Sequence, residues 1–160
     1  MAHREMFKEL ELSKAVLRQF LSVMTEAEVH RRIHDYWTIA EHLSHLVESQ
    51  SITLRRIGII LAEDTPRLVP FTPDGSALQK RQETTEELLD TFCRTRDDQL
   101  RLLKRAKAID WAKTVTHPEY TKYSLEILVR HTLLHDHFHM ARMEQLWIMK
   151  EEYILPLDSN

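Results

Sequence analysis

The chain has 160 residues, 42% hydrophobic and 29% charged, the balance of one ordinary globular domain over residues 1–160 and not of a disordered or membrane chain. Its net charge of −3 gives nucleic acid no electrostatic hold, and no apolar run approaches the ~20 residues that span a bilayer. Nucleic acid and membrane are therefore not expected as partners, and Met1-Ala2-His3-Arg4-Glu5 lacks the apolar core of a secretory signal, which leaves the cytoplasm as the expected compartment.

Two glycines, Gly58 and Gly75, argue for long helices rather than many tight turns. The first apolar pattern runs from about Phe7 to Met24, with Leu10, Leu17, Phe20, Leu21 and Met24 at helical spacing. Thr25-Glu26-Ala27-Glu28 reads as a break or a restart, and Val29 to Tyr36 is ambiguous. Thr38 and Glu41 form a capping box, in which each side chain satisfies the other's exposed backbone donor, so a second helix opens there and continues to about Ala62. Glu63 to Leu78 carries Pro66, Pro70, Pro73 and Gly75 and cannot be regular helix. Thr84 and Glu87 make another capping box, opening a third helix to about Ala108. Cys93, the single cysteine, lies in it; it excludes an internal disulfide and a cysteine zinc site, and reads as a small buried hydrophobe. Ile109 to Tyr123 is irregular and contains His117-Pro118, after which Ser124 caps a fourth helix reaching about Glu152. Strand-like alternation and internal repeats are absent.

Linker length predicts the topology. A helix of about 24 residues is ~36 Å long, and the ~20 residues between the second and third helices can reach ~66 Å. An antiparallel hairpin needs only ~2–8 residues. Helices two and three are therefore expected to run parallel, joined by a long crossover in an all-α four-helix bundle.

Ten histidines call for a positional reading. With His135 at zero on a helical wheel of ~100° per residue, His139 falls at about 40°, His131 at about −40° and His137 at about 200°. His137 thus points to solvent among Arg130, Glu126 and Glu144. The outer two of His131, His135 and His139 are ~12 Å apart along the axis, too far to share one ion at ~2.1 Å bonds. Either adjacent pair can chelate, with the third ligand from another helix. His42 and His45 on the second helix are candidates, and Glu41 and Glu48 flank them. Chance placement of histidines is the plain alternative, but several imidazoles buried on one face without partners would be costly.

At these residues the chain resembles the DinB-like family of metal-dependent enzymes, which includes the bacillithiol S-transferases and is related to the mycothiol-dependent maleylpyruvate isomerases. Trp37-Thr38-Ile39-Ala40-Glu41-His42-Leu43-Ser44-His45-Leu46 is similar to the family's second-helix motif. His117-Pro118-Glu119-Tyr120, Ser124-Leu125 and His135-Asp136-His137-Phe138-His139 are similar to its fourth-helix motif. The resemblance implies a crossover bundle and selects His45, His135 and His139 as ligands of one divalent metal ion; His42 and His131 fall at non-ligand positions. It also implies a small-molecule substrate, a low-molecular-weight thiol as a candidate cofactor, and a homodimer.

Three neutral imidazoles leave coordination positions open, the arrangement of a catalytic site. Zinc or nickel is the first expectation, with iron, cobalt and manganese compatible with the same nitrogens. Any general base is expected to be metal-bound water, since no Ser-His-Asp or Cys-His set assigns a catalytic side chain. Arg142, one turn past His139, is the candidate for binding a substrate carboxylate, against pairing with Glu41 or Glu48. Asp136 lies about 100° off the ligand face and is at most an outer support. Tyr120, Tyr123, Trp111, His30, His34 and His117 read as packing residues, and so does the stripe Val129, Leu133, Met140 and Trp147, with a dimer interface as its alternative. The expected activity is thiol S-transfer or hydrolysis on a small molecule; the alternatives are a non-catalytic metal-binding or sensing bundle and a bundle without metal.

Overall fold

The computed structural model describes residues 3–70 and 83–156. Over these the chain is all-helical: α1 (Arg4–Leu21), α2 (Glu26–Val29), α3 (Ile39–Ala62), α4 (Thr85–Leu103), α5 (Ala108–Ala112) and α6 (Leu125–Ile148), with a 3-10 turn at Glu151–Tyr153. Pro73 and Gly75 of the crossover lie outside the described residues. No helix among the described residues is long and apolar enough to cross a membrane.

The starts of the long helices are set by the predicted caps. Thr38 N donates to Glu41 Oε2 at 2.7 Å and Glu41 N donates to Thr38 Oγ1 at 3.1 Å. Thr84 and Glu87 repeat the exchange at 2.8 and 3.2 Å, and Ser124 Oγ accepts from Ile127 N at 3.3 Å. Thr25 and Glu28 form a further box at 2.7 and 3.3 Å, so the break read at Thr25–Glu28 restarts as the single turn α2. The ends differ more from expectation. The third helix stops at Leu103, short of Ala108, because Lys107 N finds the Asp110 carboxylate at 2.8 Å and starts α5 instead. The fourth stops at Ile148, where Arg31 Nη2 donates to the terminal carbonyls of Leu146 at 2.6 Å and Trp147 at 3.2 Å; a cation there also suits the helix dipole.

Two apolar clusters give the direction of each helix. One gathers Leu17 and Leu21 from the end of α1, Leu43, Leu46 and Val47 from the start of α3, Leu88, Leu89 and Phe92 from the start of α4, and Met143 and Leu146 from the end of α6. The other gathers Leu10, Ile57 and Ile60, Leu100 and Leu103, and Leu125, Leu128, Val129 and Leu133 from the opposite ends of the same helices. So α3 and α4 run parallel, with α1 and α6 antiparallel to both, and the connection between α3 and α4 recrosses the bundle as its length implies. Cys93 is half-buried against the first cluster, and Met140 and Trp147 join it, while Val129 and Leu133 belong to the second. Bundle packing therefore accounts for that stripe. Among the described residues no strand forms; one isolated bridge pairs Arg67 of the crossover with Thr116 of the connection before α6.

A polar layer separates the two clusters and takes a residue from each long helix. Arg96 is fully buried; its Nη2 donates to Asp136 Oδ2 at 2.6 Å, its Nε to Gln50 Oε1 at 3.1 Å and its Nη1 to Ser13 Oγ at 3.0 Å. Gln50 Nε2 donates to Asp136 Oδ1 at 3.0 Å, and Gln99 Nε2 reaches Gln50 Oε1 at 2.8 Å. Burial pushes the Asp136 carboxyl up from its usual range, while Arg96 and Gln50 pull against that. Such a pair adds little net stability over an apolar one, but it fixes which residues meet. Here it sets Asp136 of α6 against Gln50 of α3, and so fixes the register of the histidines beside them.

Candidate metal centre

His45 lies two turns into α3, while His135 and His139 lie one turn apart on α6. One ring nitrogen from each falls within 4.8 Å of the others. His45 Nε2 and His135 Nε2 are 3.1 Å apart, close to the roughly 3.0–3.4 Å that two nitrogens keep when bound to one ion at ~2.1 Å. The ring centroids stand 5.0 Å (His45–His135), 4.7 Å (His45–His139) and 4.5 Å (His135–His139) apart. His45 and His139 are buried and His135 is half-buried.

The rings are held in the form a cation needs. Burial and the neighbouring histidines lower His135 to about 4 and His139 to about 2, and burial lowers His45. Neutral imidazoles offer lone pairs. The donor set thus fits a divalent ion held by His45, His135 and His139.

His42, with 0% exposure, is the fourth ring. Its Nδ1 lies 2.9 Å from His139 Nδ1, and burial, with the charge of Arg142, lowers it to about 3. A neutral His139 that uses Nε2 toward an ion carries its proton on Nδ1, so it donates to His42 Nδ1. The His42 proton then sits on Nε2, which is buried without a partner. With an ion on His139, His42 would orient that ring as outer-shell partners orient metal-bound histidines. Trp37 closes this side, its centroid 5.4 Å from His42, 5.3 Å from His45 and 6.5 Å from His139.

His45 and His135 open on a cleft of about 290 Å³. Its wall continues along α3 through Ser49, Thr53 and Arg56, along α6 through Thr132 and His131, and across the connection before α6 through His117, Glu119, Tyr120 and Tyr123. The aromatic residues read as packing are thus part of this wall: His117 stacks on Tyr123 at 4.9 Å and meets Tyr120 edge-on at 4.8 Å. Trp111 instead stacks on His3 at 3.6 Å. His30, His34 and His137 are exposed.

Arg142 does not line the cleft. It is buried over the Tyr36 ring at 5.0 Å, with Nη1 on Gln145 Oε1 at 2.9 Å, and Nε and Nη2 lack partners. Glu41 pairs with Arg32 at 2.7 Å instead. Asp136 points away from the rings into the polar layer. The guanidinium in the cleft is that of Arg56, a residue missed in the sequence although eleven positions beyond His45 is about 20° on the wheel.

Among solved structures the chain is similar to YfiT from Bacillus subtilis, described as a probable metal-dependent hydrolase with an unusual four-helix bundle topology. The TM-score is 0.76 at 24% identity, over 89% of this chain and 83% of that one, a likeness of fold. No match was found among curated proteins. The family model described as DinB superfamily matches residues 9–143, and the chain belongs to that superfamily.

Proposed function

We propose that this protein is a metal-dependent enzyme acting on a small molecule, with His45, His135 and His139 as ligands of one divalent ion and hydrolysis as its reaction. The observation that carries the reading is the convergence of three neutral ring nitrogens, from two helices, at the mouth of a cleft. A closed structural site would use four protein ligands; among the described residues the cluster has three. An ion bound there supplies Lewis-acid chemistry, making water a competent nucleophile near neutral pH. The protein's own residues hold that ion, exclude water on the Trp37 side and leave the cleft side open to substrate. The name of the similar structure supports hydrolysis, and the resemblance of the two motifs keeps thiol transfer as the second reading. Zinc and nickel are the leading ions.

The test is elemental analysis of untagged protein together with turnover of an ester, amide and thiol–electrophile panel before and after chelation. About one metal per chain, with activity lost on chelation and regained on reloading, is the expected result. A protein that neither carries metal nor takes up zinc, nickel or manganese overturns the reading. Unfolding on chelation supports a structural site instead.

A further inference from the structure

The cleft is built with a charge pattern that the histidine cluster does not explain. Among the described residues lining it, Arg56 is the one cation and Glu119 the one anion. Arg56 is three turns from His45 on the same face of α3, about 16 Å along the axis, and both line the cleft. Its Nη2 is held by the Val69 carbonyl at 3.0 Å, and it lines the cleft beside Tyr123, whose hydroxyl burial pushes up while the Arg56 charge pulls it down. Burial keeps Tyr123 a protonated phenol, so its hydroxyl has a hydrogen to give.

A second donor is fixed beside them. Glu119 N donates to His117 Nδ1 at 3.2 Å, which places the proton of the neutral ring on Nε2. Burial and the nearby charge of Arg56 hold His117 and His131 below the ordinary histidine value, so neither adds a second positive charge. The far end of the cleft therefore gathers a forked cation and neutral donors beside an aromatic wall. That set recognises an anion on a small, flat body.

We propose that the cleft binds a small organic acid, its carboxylate on Arg56 and Tyr123 and its reacting bond at the His45–His135 end. A single guanidinium opposed by Glu119 suits a monoanion better than a doubly charged phosphate. A cleft of about 290 Å³ is at the small end of ligand sites and admits a compact acid, not a polymer. The proposal rests on the histidine cluster being the reacting end.

The test titrates the full chain with phenylacetate, phenylacetamide and phenylphosphonate by NMR, both as purified and after chelation, with metal content measured on the same samples. Chelated protein isolates Arg56 from any ion, so failure of the acid site and failure of the metal site are read separately. The acid is expected to bind about tenfold or more tighter than the amide. Arg56→Met abolishes that preference, Tyr123→Phe reduces it while keeping the packing, and Glu119→Gln strengthens acid binding. Equal affinity of acid and amide, a preference that survives Arg56→Met, or no detectable acid binding overturns the proposal. Tighter binding of the phosphonate overturns the carboxylate assignment in favour of a phosphoryl ligand.

Discussion

Two buried polar regions lie side by side in this bundle, and they are built by opposite rules. In the layer of Ser13, Gln50, Arg96, Gln99 and Asp136 the charges meet and the amides interlock. Around the histidines, His42 Nε2, His45 Nδ1 and two nitrogens of Arg142 are buried with no partner. The satisfied layer can only hold its helices in place. The histidine cluster beside it keeps open ring nitrogens, and its His45 and His135 edge on the cleft says where a ligand would enter. Both regions draw on α3 and α6, so the closed network supplies the rigidity that an open donor set needs.

The comparison can be broken by experiment. Asp136→Ala strands the buried Arg96 charge and is expected to cost about 3–5 kcal/mol in urea unfolding; a loss below about 1 kcal/mol would remove the layer's structural role. His135→Ala acts in the other region: metal affinity should fall by more than the ~10–100-fold typical of outer-shell losses, with the stability of the metal-free protein little changed, while His137→Ala keeps its metal. Equal metal content in the two variants would refute the assignment. His42→Phe fills the same space but cannot accept from His139, so affinity should drop about 10–100-fold, with one equivalent still bound at saturation; calorimetric titration with zinc checks both numbers.

Acidity gives the smallest effect. Protons compete with metal for ring nitrogens, and a histidine of ordinary pKa near 6.5 would be mostly protonated at pH 6. His135 at about 4 and His139 at about 2 are not. Metal content at pH 6 should therefore lie within about twofold of that at pH 8, and release should come only as the pH falls toward 4. A release midpoint near 6.5 would show that the rings are not shielded.

Local chemistry made much of this legible in the sequence. Capping boxes at Thr38 and Thr84 and the Ser124 cap placed three helix starts, because a cap is a contact within four residues. The crossover was legible from chain length alone. The i, i+4 histidines were legible as neighbours on one face, and the family motif picked out the three rings that the structure gathers. The polar layer was not. Arg96 and Gln99 drew no reading in the sequence, although the run Leu88, Phe92, Arg96, Gln99 and Leu103 keeps the 4-4-3-4 spacing of a buried stripe, because their partners lie 40 or more positions away. The end of the third helix was missed because Asp110 competes for Lys107 N. The role of Arg142 was inferred from its helical face alone, which cannot say how deep a face lies.

The bridge between Arg67 and Thr116 has an evolutionary consequence. Leu68 N donates to Thr116 O and Thr116 N to Pro66 O, both at 2.9 Å, so the crossover and the connection before α6 are fastened to each other. One of these loops steadies Arg56 through Val69, and the other carries His117, Tyr120 and Tyr123. The far wall of the cleft thus combines Arg56 of α3 with two tied loops, while the histidine cluster is written in two helices. Exchange of the loop pair together with Arg56 would then be a way to retarget such a protein without rebuilding its centre.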